Sequence, residues 1–129
     1  MINYKELSFE TQEYVTRLFQ QYQTPIHVYH NLHHTKTVAL RANEIALNYS
    51  LTEKEFFIVA SAAWFHDVGH LFGPAATHEE KSVIAMRTNM VKHGIDSGIL
   101  NSIEQCILAT KLPQDPKSLP EEIVCDADC

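Results

Sequence analysis

The sequence predicts an all-α fold, a single domain of five or six helices. Apolar residues recur at helical spacing through most of its 129 residues. Capping residues, glycines and prolines interrupt that pattern at intervals suited to helix ends. No stretch alternates apolar and polar residues for long enough to make a strand, and Ile26 to Tyr29 is too short to count.

Ser8 can cap a first helix running to about Gln23, with Phe9, Tyr14, Val15, Leu18, Phe19 and Tyr22 as its apolar set. Pro25 stops it. A second helix starts near Asn31 or Leu32 and runs to about Asn48, turning Val38, Ala42, Ile45 and Ala46 inward. Thr52 and Glu55 have the spacing of a capping box and open a third helix that ends near Asp67. Its apolar residues run nearly all round, so it is expected to be the buried central helix. Gly69, Gly73 and Pro74 make a loop, and Thr77 with Glu80 repeats the capping-box spacing for a fourth helix ending before Gly94. A fifth helix is expected from about Ser97 to Lys111. Pro120 suits the first turn of a sixth.

A composition of 45% hydrophobic and 20% charged residues places the chain among ordinary globular domains. The formal net charge of −6 argues against a nucleic-acid polymer as partner, because phosphate backbones are bound by basic surfaces. It leaves room for a small phosphorylated substrate if a cation supplies the local positive charge. There is no apolar run of membrane-spanning length, so no membrane partner is expected. MINYKELSFE lacks the pattern of a signal peptide, which makes the cytoplasm the expected location. Cys106, Cys125 and Cys129 form no disulfide framework and read as small hydrophobes in a reducing compartment. Cys125 and Cys129, four apart, could share a helix face.

Eight histidines are the anomaly, and seven of them fall in two clusters, His27 to His34 and His66 to His78. In YHNLHHT, His30 and His34 are four apart, which puts both imidazoles on one helix face or close together at a helix entrance. His33 should point elsewhere. In FHDVGH, His66 and Asp67 emerge from the end of an apolar helix, where a charged pair is costly to bury unless it is paired or holds a cation. Adjacent helical residues diverge by about 100°, so both can reach one ion lodged between helices. In the terminal DADC, Asp126 and Asp128 flank the apolar face at similar angles, and periodicity does not choose between them.

The ordered set His34, His66–Asp67 and a late aspartate resembles the H…HD…D signature of HD-superfamily phosphohydrolases. The likeness runs from about Tyr29 to the end, through YHNLHHT, AAWFHDVGH, HEEKS and ILATK followed by IVCDADC. It implies a metal held by His34, His66, Asp67 and Asp128, the ligand matching the second aspartate of the last motif. YHN-x-x-H also resembles the motif of cyclic-nucleotide phosphodiesterases. That likeness implies His30 as the acid protonating the leaving group, with Asp67 also at the catalytic centre, and makes His70 of HD-x-x-H a pocket residue. For a second metal or the substrate, the resemblance offers His78. Leu112 stands where the family often has another histidine, and His93 looks solvated.

Two imidazoles and two carboxylates suit a divalent cation such as Mn, Fe, Co, Ni, Zn or Mg. The implied reaction is hydrolysis of a phosphate ester, a nucleotide or other small phosphorylated metabolite, by metal-activated water. His30 is the imidazole implied to donate the proton to the departing oxygen. Lys111 is placed to meet substrate phosphate. Competing readings are a non-catalytic metal- or nucleotide-binding sensory module, and a di-iron oxygenase, which needs a full dinuclear site. Because the chain stops one residue after Asp128, a truncated domain that self-associates into a homo-oligomer is a further expectation.

Overall fold

The computed structural model describes residues 2–129. Among these residues there are six α-helices and no strand: α1 (Tyr4–Tyr22), α2 (Leu32–Ala46), α3 (Glu53–Phe65), α4 (His78–Met90), α5 (Ser97–Ala109) and α6 (Leu119–Asp128). No helix of the described residues is long and apolar enough to cross a membrane. The all-α expectation holds.

The helix α3 is the central element, packing against α1, α2, α5 and α6. Phe57, Val59, Ala62, Ala63 and Phe65 are at most 1% exposed, which accounts for its all-round apolar sequence. The capping box at its start is complete, with Thr52 and Glu55 each accepting the other's backbone N–H. Its last turn delivers His66 and Asp67, 0% and 3% exposed, into the interior. Val15 and Phe19 of α1, Val38, Ala42 and Ala46 of α2, and Ile103 and Ile107 of α5 close the core around it.

Several boundaries differ from the sequence reading. Helix α1 starts a turn early because Asn3, not Ser8, caps it, its side chain accepting the Glu6 N–H at 3.1 Å. Phe9 and Tyr22 were expected inward and are 60% and 44% exposed. Helix α2 ends at Ala46 and α5 at Ala109, each about two residues short of the expected end. Helix α3 ends at Phe65, and Val68–Leu71 form a separate 3₁₀ turn that tightens the chain after Asp67.

The capping box expected at Thr77 and Glu80 does not form. Thr77 lacks the extended backbone of a cap and makes no side-chain cap bond. The Glu80 carboxylate instead accepts from Lys111 at 2.6 Å, a tertiary partner beyond the reach of local spacing. Pro120 does sit in the first turn of α6, whose cap is Ser118. Cys125 and Cys129 do not share an environment: the first is buried and the second exposed.

Candidate metal centre

Three elements bring the sequence-predicted residues together. Asn31 caps α2, its side-chain oxygen accepting the His34 N–H at 2.9 Å while its amide donates to the Val28 carbonyl. His30 therefore lies just outside the helix and His34 in its first turn, both aimed at the end of α3. The helix α6 runs back so that Asp128 faces His66, while Asp126 is exposed on the outside. Of the two aspartates that periodicity left open, the packed helix turns Asp128 toward the histidines.

Asp67 is the hub. Five imidazoles surround its carboxylate at 2.8 to 3.6 Å: His30 and His34 face Oδ2, and His66, His70 and His78 face Oδ1. Burial opposes ionisation of Asp67. His66 and the hydrogen bonds from His30 and His78 outweigh it and hold the group far below the ordinary carboxylate range. Asp128 is held down to about 2; burial again opposes, and His34 and His66 overcome it. Burial likewise disfavours the charged form of His66, yet Asp67 and Asp128 raise it to about 9. His70 is pushed down to about 4, chiefly by burial, with neighbouring imidazoles adding to the effect.

Hydrogen bonds fix which nitrogen of each ring faces inward. His66 Nδ1–H donates to the Ala63 carbonyl at 2.7 Å, turning Nε2 toward Asp128 and Asp67. His78 Nδ1–H donates in the same way to the Ala75 carbonyl at 2.9 Å.

The donor set fits a divalent cation. Ligand atoms about 2.0–2.2 Å from one ion stand about 3.0–3.5 Å apart. His34 Nε2 lies 3.4 Å from Asp67 and 3.5 Å from Asp128, and His66 Nε2 lies 3.5 Å and 3.1 Å from the same two carboxylates. Each distance falls in the range of a ligand-to-ligand edge, with His34 on Oδ2 and His66 on Oδ1 of Asp67, and His34, His66 and Asp128 form one cluster able to hold an ion. The four distances are too long for a set of strong charge-assisted hydrogen bonds, with the His66–Asp128 contact nearest to one.

The remaining candidates are spread around this centre. His30 Nδ1 is 2.8 Å from Asp67, and its ring is half exposed to the cleft. His70, partly buried, lies between His30 and His78, stacked on each at a centroid distance of 3.9 Å. Lys111 sits at the cleft mouth, held by Glu80. His33 is exposed, and His93 lies near Glu10, away from the centre. Leu112 is 82% exposed and offers no ligand.

Sequence reasoning assigned no role to three residues that shape the site. His27 accepts the Thr24 N–H on Nδ1 at 3.0 Å, so its Nε2–H donates to the His70 carbonyl at 3.1 Å and pins the turn after Asp67. Ser82 is fully buried and bridges that turn to α4, donating to the His66 carbonyl at 2.9 Å and accepting the Gly69 N–H at 2.8 Å. Glu79 is buried, with Oε2 3.2 Å from His78 Nε2. Its place beside a histidine was visible in sequence; its burial was not. Gly69 is required for contact, because a Cβ there would lie 1.8 Å from the His78 carbonyl oxygen.

The HD domain family model matches residues 31–129. The chain belongs to the HD domain family. The match covers each of the helices and turns that carry the histidine–aspartate centre, except His27 and His30, which precede it. Members of this family are mostly metal-dependent hydrolases, and the residues gathered here can hold a metal. No curated protein and no solved structure matches the chain significantly.

Proposed function

We propose that this HD domain hydrolyses a phosphate ester of a small metabolite, with nucleotides the leading class, using a divalent cation held by His34, His66, Asp67 and Asp128. One observation carries the reading: a buried carboxylate ringed by imidazoles, at ligand-to-ligand spacing, on the floor of an open cleft. The cleft has a volume of about 550 Å³, within the range of small-molecule sites.

Charge explains why a cation is needed. Asp67, Glu79 and Asp128 line the cleft, and Lys111 is the only lysine or arginine among its lining residues. An anionic ester would be repelled by those carboxylates without a compensating ion. A bound divalent cation polarises a phosphoryl oxygen and acidifies a coordinated water. The protein's own groups do the rest. Asp67, fully ionised, holds His30 Nδ1–H and so points His30 Nε2 into the cleft, where it can pass a proton to the departing oxygen. Lys111, exposed at the mouth, can leave Glu80 to meet the phosphate. Ala75, Ala76 and Leu112 give the non-phosphate part of the substrate an apolar wall.

The test is to strip the purified chain of metal and reload it separately with Mn, Fe, Co, Ni, Zn or Mg. Hydrolysis is then followed as phosphate release from phosphomonoesters and nucleotides, and as opening to the nucleoside monophosphate for cyclic nucleotides. Hydrolysis with at least one metal, lost on chelation and in Asp67→Asn, is the expected result. Metal and nucleotide binding without turnover of any ester overturns the catalytic reading in favour of a sensory module.

A further inference from the structure

Residues 24–30 link α1 to α2 and form neither helix nor strand. Every one of them except His27 is exposed, so packing does little to hold the segment, yet it ends in His30. Two side-chain hydrogen bonds tie it to the turn after α3. His27 Nε2–H donates to the His70 carbonyl at 3.1 Å, and His30 Nδ1–H donates to Asp67 Oδ2 at 2.8 Å. His27 and His30 are three residues apart, and so are Asp67 and His70. The two bonds are therefore antiparallel rungs between two matching steps of chain. The rings of His30 and His70 stack between the rungs, 3.9 Å apart at an interplanar angle of 16°.

The tautomer of His27 is fixed by its own segment. Nδ1 accepts the Thr24 N–H at 3.0 Å, which leaves the ring proton on Nε2, facing the His70 carbonyl. The His27 N–H in turn donates to the Thr24 carbonyl at 3.0 Å and closes a turn around Pro25 and Ile26. On the other flank, the Asn31 amide holds the Val28 carbonyl at 2.9 Å. His30 thus hangs between a helix cap on one side and His27 on the other.

We propose that His27 is a positioning residue for His30, setting the direction in which His30 Nε2 enters the cleft. The inference rests on the role of His30 as proton donor proposed above. His27 is not among the residues lining the cleft, so it acts through His30 and the turn. A single hydrogen bond to Asp67 fixes a distance but lets the imidazole swing about it. The second rung removes that freedom by holding the backbone on which His30 sits against the backbone of His70, and so keeps the two rings in register. A reacting group misplaced by about 1 Å costs on the order of 10²-fold in rate.

The experiment compares wild type, His27→Ala, His30→Ala and the double variant. Each is the full chain, loaded with the metal that makes the wild type most active and given the ester it cleaves fastest. His27→Ala is expected to lower kcat by about 10–100-fold, with KM changed by less than about 3-fold and metal content unchanged by elemental analysis. Added to His30→Ala, it should cost less than about 2-fold more, because nothing is left to position. His27→Gln should recover part of the loss, since its amide N–H can reach the His70 carbonyl. A second readout needs no turnover: nitrogen-15 NMR of the His30 ring in the metal-free chain. The ring is expected as the Nδ1–H tautomer in the wild type and as a mixture in His27→Ala. If circular dichroism finds His27→Ala unfolded, His27→Phe, which fills the space without either nitrogen, replaces it throughout. Losses that simply add in the double variant overturn the inference and leave His27 a structural tie. A His30 ring unchanged in His27→Ala overturns it whatever the wild type hydrolyses. A wild type that cleaves no ester overturns the proposed function instead, and the ring spectrum alone then decides whether His27 holds His30, so the two failures are distinguishable.

Discussion

Ser82→Ala tests whether α4 holds the metal-bearing turn in place. The hydroxyl is fully buried and joins two backbone groups of the turn that carries Asp67, the His66 carbonyl at 2.9 Å and the Gly69 N–H at 2.8 Å. Deleting it leaves a buried acceptor and a buried donor without that partner, each costing about 1–3 kcal/mol. The expected loss is about 2–4 kcal/mol, toward the lower end if a water enters the vacated space. Urea unfolding of the metal-free chain, followed by far-UV circular dichroism, measures it, with Ser102→Ala on the exposed face of α5 as control. The same change should weaken metal affinity by about 10–100-fold, the usual cost of losing a group that orients ligands. A stability change below about 0.5 kcal/mol with unchanged metal affinity would refute the argument that this bridge sets the turn.

Three further outcomes follow from the geometry. Gly69→Ala drives a Cβ against the His78 carbonyl oxygen, so α4 must shift; a loss of about 1–3 kcal/mol or more is expected in the same unfolding assay, with lowered metal affinity. His30→Ala should lower turnover by about 10²–10⁴ while elemental analysis finds the metal content unchanged, and loss of metal would make His30 a ligand. In the metal-free chain, the raised pKa of His66 stabilises the fold fully below pH 6.5 and is lost as pH rises through about 9. The lowered Asp128 stabilises above its ordinary 3.8 and is lost as pH falls through about 2. His70, pushed down to about 4, disfavours the fold as pH falls from 6.5 toward 4, so thermal melts in chelator should be highest near about pH 6 to 6.5, and a maximum above pH 9 would contradict the His66–Asp128 pairing.

Much of this was legible in the sequence, for identifiable reasons. Helical periodicity placed all six helices, and the all-round apolar run of α3 marked the central one, because burial on every side leaves no polar face to conserve water contact. The doublet His66–Asp67 stood out since an apolar helix does not end in buried charge without a partner. The boundaries were less legible. Asn3 and Ser8 are both good caps, and the choice depended on Tyr4 and Leu7 packing against the core. Thr77 and Glu80 had a local signal that a partner 31 residues away, Lys111, overrode. The stack of His30, His70 and His78 was invisible because a 3₁₀ turn and a loop separate its members, and no period relates them. His27 and Ser82 act on backbone groups, which sequence does not display.

The central claim is that one cation sits among His34, His66, Asp67 and Asp128. Anomalous diffraction at the metal edge, from crystals of the chain loaded with a single transition metal, tests it most directly. The account predicts an anomalous peak about 2.0–2.3 Å from the inward nitrogens of His34 and His66 and from carboxylate oxygens of Asp67 and Asp128. No peak among these four residues in a fully loaded crystal, with ordered metal found elsewhere on the chain, would contradict it.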